Sequence, residues 1–158
     1  MKFWLMKSEP ETFSIDDLAR DKVTPWEGVR NYQARNFMWK EMQAGDWALF
    51  YHSNAEPPGV AGLMKIVTQA HPDKSSFNKR SEYFDARSST EKPSWYCVDC
   101  EFVEKFPNFV SLESLRNEKA LSELLVIKRG QRLSIQPVSQ KDFLKICQMA
   151  QSKSLKKL

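Results

Sequence analysis

The stretch W-E-G-V-R-N-Y-Q-A-R-N, residues 26–36, reads as one turn running into the first turns of a helix. Trp26 brings a flat indole on which a nucleobase can stack. Gly28 lets the backbone turn, or approach a ligand, with no Cβ in the way. Asn31 is a good N-cap, and Arg30 stands beside it at a helix mouth, where unpaired backbone N–H groups favour anions. A plainer reading stands next to this one: Trp26 as core, Gly28 as a turn and Asn31 as a cap. Downstream, Ala34, Phe37, Met38 and Met42 recur at helical spacing. A helix is therefore expected from Asn31 or Tyr32 to about Met42, with Gly45 as its stop.

Working outward, the short aromatic-rich run Lys2 to Lys7 reads as a buried strand that Pro10 ends. Ser14 and Asp17 have capping-box spacing and open a short helix, Ile15 to Arg20. Asp46 to Ser53 and Gly59 to Gln69 read as strands of one hairpin. In the first, Trp47, Leu49, Tyr51 and Ser53 share one face, and Ala48, Phe50 and His52 share the other. Gly62 predicts a bulge or a close backbone approach. Residues 71–93 lack periodicity and carry Phe77, Tyr83 and Phe84 as their apolar anchors. A loop this long in a compact domain is either functional or a solvated insertion.

Trp95 to Phe106 alternates like one strand. Short helices are expected at Ser111–Asn117 and Ala120–Leu124, and short strands at Leu125–Ile127 and Arg132–Gln136. A final helix, Ser139 to about Gln151, buries Phe143, Ile146, Cys147 and Ala150. Residues 1–150 make a single domain, followed by a basic tail, 151–158, expected to fray.

The chain has 158 residues, enough for one domain with a sizeable core. Aromatic residues stand at 12%, and a net charge of +4 permits nucleic-acid contact without requiring it. Three cysteines, and an apolar run after Lys2 too short for a secretory leader, point to a reducing, cytoplasmic compartment. No apolar run is long enough to span a bilayer.

Catalytic motifs are missing. Cys97 and Cys100, three apart on a strand, are expected to face opposite ways and so not to share a metal. His52 and Ser53 are adjacent on a strand and lie outside any nucleophile elbow. There is no phosphate loop and no dinucleotide fingerprint. The expectation is a binding module, not an enzyme, with no cofactor and no metal.

Four motifs, taken in this order and spacing, carry a resemblance. They are W-L-M-K-S-E-P at 4–10, W-E-G-V-R-N-Y-Q-A-R-N at 26–36, F-Y-H-S at 50–53 and R-L-S-I-Q-P-V at 132–138. Together they closely resemble the EVE domain, a PUA-like family related to YTH domains, over nearly the whole chain. The resemblance implies an α+β fold: a curved, mixed β-barrel of about five to six strands flanked by helices. It also implies a pocket where the motifs converge, and a non-catalytic role in reading a modified base, modified cytosine among them, in DNA or RNA.

In such a pocket Trp26 is the first choice for stacking and Tyr51 the second, with Trp95 a further candidate for the opposite wall. Ser8, Glu9, Asn31, Ser53, Ser134 and Gln136, with backbone groups near Val29, can read a base edge. Lys7, Arg30 and His52 can take a phosphate or an anionic substituent. Lys128, Arg129 and Arg132 make a basic rim for the nucleic-acid backbone, or an ordinary solvated loop. Two rival functions use the same residues: a small nuclease or nucleotide hydrolase working through Lys7, Glu9 and His52, and a protein-binding scaffold.

Overall fold

The computed structural model describes residues 1–158. β1 (Phe3–Ser8) runs parallel to β3 (Trp47–His52) and antiparallel to β8 (Ile135–Val138). β3 forms a hairpin with β4 (Gly59–Ile66). β4 pairs with the long β7 (Asp99–Ser111), and β7 with the short β2 (Val23–Pro25). The sheet order is β2-β7-β4-β3-β1-β8, so β2 and β8 are edges and the mixed sheet curls without closing. β5 (His71–Pro72) and β6 (Tyr96–Cys97) form a separate two-stranded ribbon. The four helices are α1 (Ile15–Asp21), α2 (Tyr32–Asn36), α3 (Leu112–Asn117) and α4 (Gln140–Met149).

Strand parity divides the interior in two. Phe3, Leu5, Trp47, Leu49 and Tyr51 point to the core beneath α4, with Phe143 and Ile146. Trp4, Met6, Ala48 and Phe50 point to the opposite core, beneath α1 and α2, with Leu18, Trp26, Val29 and Met38. Alternation in β1 and β3 thus feeds both faces, and each fully buried Leu or Met adds about 2 kcal/mol of hydrophobic stabilisation.

The expected caps are present. Ser14 and Asp17 form the reciprocal capping box of α1, and the Asn31 side chain accepts the Ala34 N–H to cap α2. Past Asn36 the helix widens into a π-helical turn, Phe37–Glu41, closed by Met42 N–H to the Phe37 carbonyl. The chain leaves that helix at Met42. Gly45 serves the following turn instead, with φ of 101° and its N–H on the Ile66 carbonyl. Gly62 lies at the expected bulge, where the pairing of β4 with both neighbours slips.

Several expectations fail. Leu125–Ile127 is a 3-10 turn and not a strand. The single strand 95–106 is two, because the chain breaks at Val98, whose carbonyl accepts the Trp26 N–H. That break shifts the parity, so Cys97 and Cys100 bury in the same core instead of facing opposite ways. Burial raises both thiols well above their usual range. The tail, 151–158, lies against the domain. Ser152 and Ser154 are buried against Glu104, and Leu155 and Leu158 pack on the α4 core.

Candidate nucleic-acid interface

β1 and β3 end side by side, with Ser8 opposite His52. Above these ends, residues 24–30 cross from the edge strand toward α2 and leave a cavity of about 520 Å³. Lys7, Ser8 and Glu9 line it from the first motif. Trp26, Val29 and Arg30 come from the second, Ser53 from the third and Ser134 from the fourth. The four motifs do converge. Backbone bonds hold them in register: Lys7 N–H to the Ser134 carbonyl at 2.8 Å, and Ser53 N–H to the Ser8 carbonyl at 3.0 Å. A more open hollow of about 690 Å³ lies over His71, Pro72, Lys74, Phe77, Asn78 and Thr90, and no motif residue reaches it.

Other expected residues lie elsewhere, each for a geometric reason. Tyr51 is buried in the α4 core on the far side of the sheet, as its strand parity dictates. Gln136 pairs with Leu5, is 1% exposed, and donates its Nε2 to the Leu133 carbonyl. Asn31 is spent on the α2 cap. His52 accepts the Ile15 N–H at Nε2, 3.2 Å away, and thereby caps α1. Burial, together with Lys105, lowers the His52 imidazole below its usual value against the opposing pull of Asp16. Its Nε2 is thus engaged by the Ile15 N–H. Trp95 stacks on Tyr32 at 4.9 Å and donates Nε1 to Asp85. Lys128, Arg129 and Arg132 are exposed and outside the cavity lining, and Lys128 sits 3.7 Å from Glu123.

Two residues inside the cavity differ from expectation in role. Trp26 is 6% exposed and meets Phe50 edge-on at 5.4 Å, so it is core and cavity wall at once. Arg30 is not free for a phosphate. Its guanidinium donates to Asp73, to the Val29 carbonyl and twice to the Tyr83 carbonyl. Lys7 pairs with Tyr51 and its ammonium lies 5.9 Å over the Tyr51 ring, so it borders the cavity while its charge sits on the Tyr51 side of the sheet, where burial lowers it below its ordinary value. Glu27 is shifted up, by burial and by the nearby Asp73.

The sequence reading missed Tyr83 and Glu82, which come from the aperiodic 71–93 segment, Thr12 and Phe13 from the turn before α1, and Thr24 from β2. The one available signal was an aromatic set within a long loop. With Phe13, Trp26 and Tyr83 the cavity has apolar ring surface. With Ser53, Ser134 and Glu9 it has donors and acceptors, the mixture a ligand pocket needs.

The EVE domain model matches residues 2–149. The chain belongs to the EVE domain family. It is 45% identical to human thymocyte nuclear protein 1 over 158 aligned residues, covering 89% of this chain and 70% of that protein. A crystal structure of human THYN1 protein in complex with 5-methylcytosine containing DNA superposes with a TM-score of 0.88. That match has 40% identity and covers 97% of this chain and 99% of the other. A YTH domain, that of Zygosaccharomyces rouxii MRB1 bound to N6-methyladenosine RNA, superposes with a TM-score of 0.56 at 12% identity. It covers 94% of this chain and 86% of the other, a likeness of fold alone. Within this EVE chain no helix is long and apolar enough to cross a membrane.

Proposed function

We propose that this EVE-domain chain binds DNA or RNA carrying a modified base, and takes that base into the 520 Å³ cavity without chemistry on it. The observation that carries this reading is the convergence of all four motifs on one cavity with aromatic walls and polar ends. A base swung out of its stack needs a ring face to replace its neighbours and a few edge-reading groups. Trp26 and Phe13 offer the first; Ser53, Ser134 and Glu9 offer the second. The human THYN1 complex with 5-methylcytosine DNA supports cytosine modified at C5 as the base.

The test is a titration of the purified chain against oligonucleotides that differ at one base (cytosine, 5-methylcytosine, adenine, N6-methyladenine) at fixed salt. A modification-dependent affinity is expected, and Ser53→Phe, whose ring would fill the cavity, should abolish it. Equal affinity across the panel would refute the reading. Trp26→Ala is a poor substitute, because removing a core indole costs about 3–5 kcal/mol of stability before any ligand is considered.

A further inference from the structure

The cavity's second aromatic wall is fastened by contacts that base recognition alone does not require. Asp73 is 1% exposed on its side chain. Its Oδ2 accepts the Gly28 N–H at 2.9 Å and Arg30 Nη1 at 3.0 Å, while Oδ1 accepts the N–H and the hydroxyl of Ser75. Arg30 then reaches on to the Tyr83 carbonyl, from Nη2 at 2.7 Å and from Nε at 3.2 Å. These bonds tie residues 73–83 to the turn 28–30. They also press the Tyr83 ring against Gly28, where a Cβ would stand 2.6 Å from Cζ and 2.7–2.8 Å from the two Cε atoms. Gly28 has φ of 86° as well, so glycine is required there twice, for its conformation and for its missing side chain. A buried carboxylate and a guanidinium with several bonds each form a rigid clasp. What it holds is an aromatic ring at the cavity, contributed by a segment whose one regular element is the 3-10 turn Lys74–Phe77.

We propose that Tyr83 is the second wall of the base pocket and sets its discrimination between modified and unmodified bases, with Asp73 and Arg30 as the positioning residues that fix it. The proposal rests on the base-reader function above. The ligand class it names is a planar heterocycle held against Tyr83 on one side, with Trp26 bounding the cavity from a separate segment. Tyr83 is partly exposed, so its truncation removes wall and little core.

The test measures affinity for a duplex with one 5-methylcytosine and for its unmodified twin, in wild type, Tyr83→Ala, Tyr83→Phe and Arg30→Lys, with thermal melting alongside. Tyr83→Ala should lose affinity for the modified duplex by roughly 5- to 100-fold, the stacking scale, and by less for the unmodified twin, so that the ratio falls. Tyr83→Phe should retain the wild-type ratio. Arg30→Lys keeps the charge but cannot fork between the Asp73 carboxylate and the Tyr83 carbonyl. It should lower the ratio as Tyr83→Ala does, with little added loss in the double variant. A Tyr83→Ala protein with the wild-type ratio overturns the wall, and an Arg30→Lys protein with that ratio overturns the positioning role. A wild-type ratio of one overturns the reader function itself, and the wall with it.

Discussion

His52 accepts the backbone N–H of Ile15 through Nε2 at 3.2 Å, a bond spanning 37 residues that seats α1 on the end of β3. Only an unprotonated Nε2 can accept, and the fold lowers the imidazole from its ordinary value of 6.5. In the window between that value and the lower folded one, the unfolded chain binds the proton and the folded chain does not. Stability from this site is therefore complete above pH 6.5 and is lost as pH falls through the folded value. His52→Gln supplies an acceptor that does not titrate. Melting temperatures taken from pH 7.5 to 5 should fall more steeply for wild type than for the variant. Coincident slopes would rule out His52 as the source.

Gly62 is fixed by what surrounds it. A Cβ there would stand 2.5 Å from the Glu104 carbonyl oxygen on β7 and 2.5 Å from Ile15 Cδ1. The side chain could yield; the strand backbone at the bulge could not. Gly62→Ala should cost about 1–3 kcal/mol, the scale of overpacking. Adding Ile15→Val should recover less than half of the loss, because the carbonyl contact persists. Urea unfolding of wild type and the two variants measures this, and full recovery in the double variant would place the strain on Ile15 instead.

The legible part of this molecule is the part where period and partner agree. β1 and β3 alternate cleanly because their neighbours bury both faces, and Ser14, Asn31, Ser111 and Ser139 cap their helices because such caps are local. Tyr51 and Gln136 show the limit. Their motifs meet at the cavity, yet a pleat sends every second side chain to the other core. Cys97 and Cys100 show another: one break at Val98 reverses a parity argument that one continuous strand would have satisfied. Tyr83 was illegible because its position comes from a clasp 43 to 53 residues long, between side chains with no local pattern.

The exposed cations beyond the cavity carry a separate prediction. Arg129 is exposed and follows the 3-10 turn that leads to Ser134. If the nucleic-acid backbone runs over this loop, Arg129→Ala removes about one phosphate contact. Affinity should then fall alike for modified and unmodified duplexes, and the slope of log K against log salt should flatten by about 0.9. An unchanged slope would assign this loop to solvent.

Glu104 governs the C-terminal segment. Its Oε1 accepts the Ser152 hydroxyl at 2.6 Å and the Ser154 N–H at 3.3 Å, and Oε2 accepts the Lys153 N–H at 2.8 Å. Burial alone would raise this carboxyl. The bonds from Ser152, Lys153 and Ser154 outweigh that and hold it below its ordinary 4.5. The contribution is thus fully present above pH 4.5 and lost as pH falls through the lowered folded value. Glu104→Gln places an amide NH₂ where one acceptor stood, leaving a backbone N–H unmatched. The loss should be about 1–3 kcal/mol. Amide exchange should quicken at Lys153 and Ser154 and leave β1 and β3 protected, since Leu155 and Leu158 cover only the margin of the α4 core. Unchanged protection at Lys153 and Ser154 would show that apolar packing, and not the carboxylate, holds the segment down.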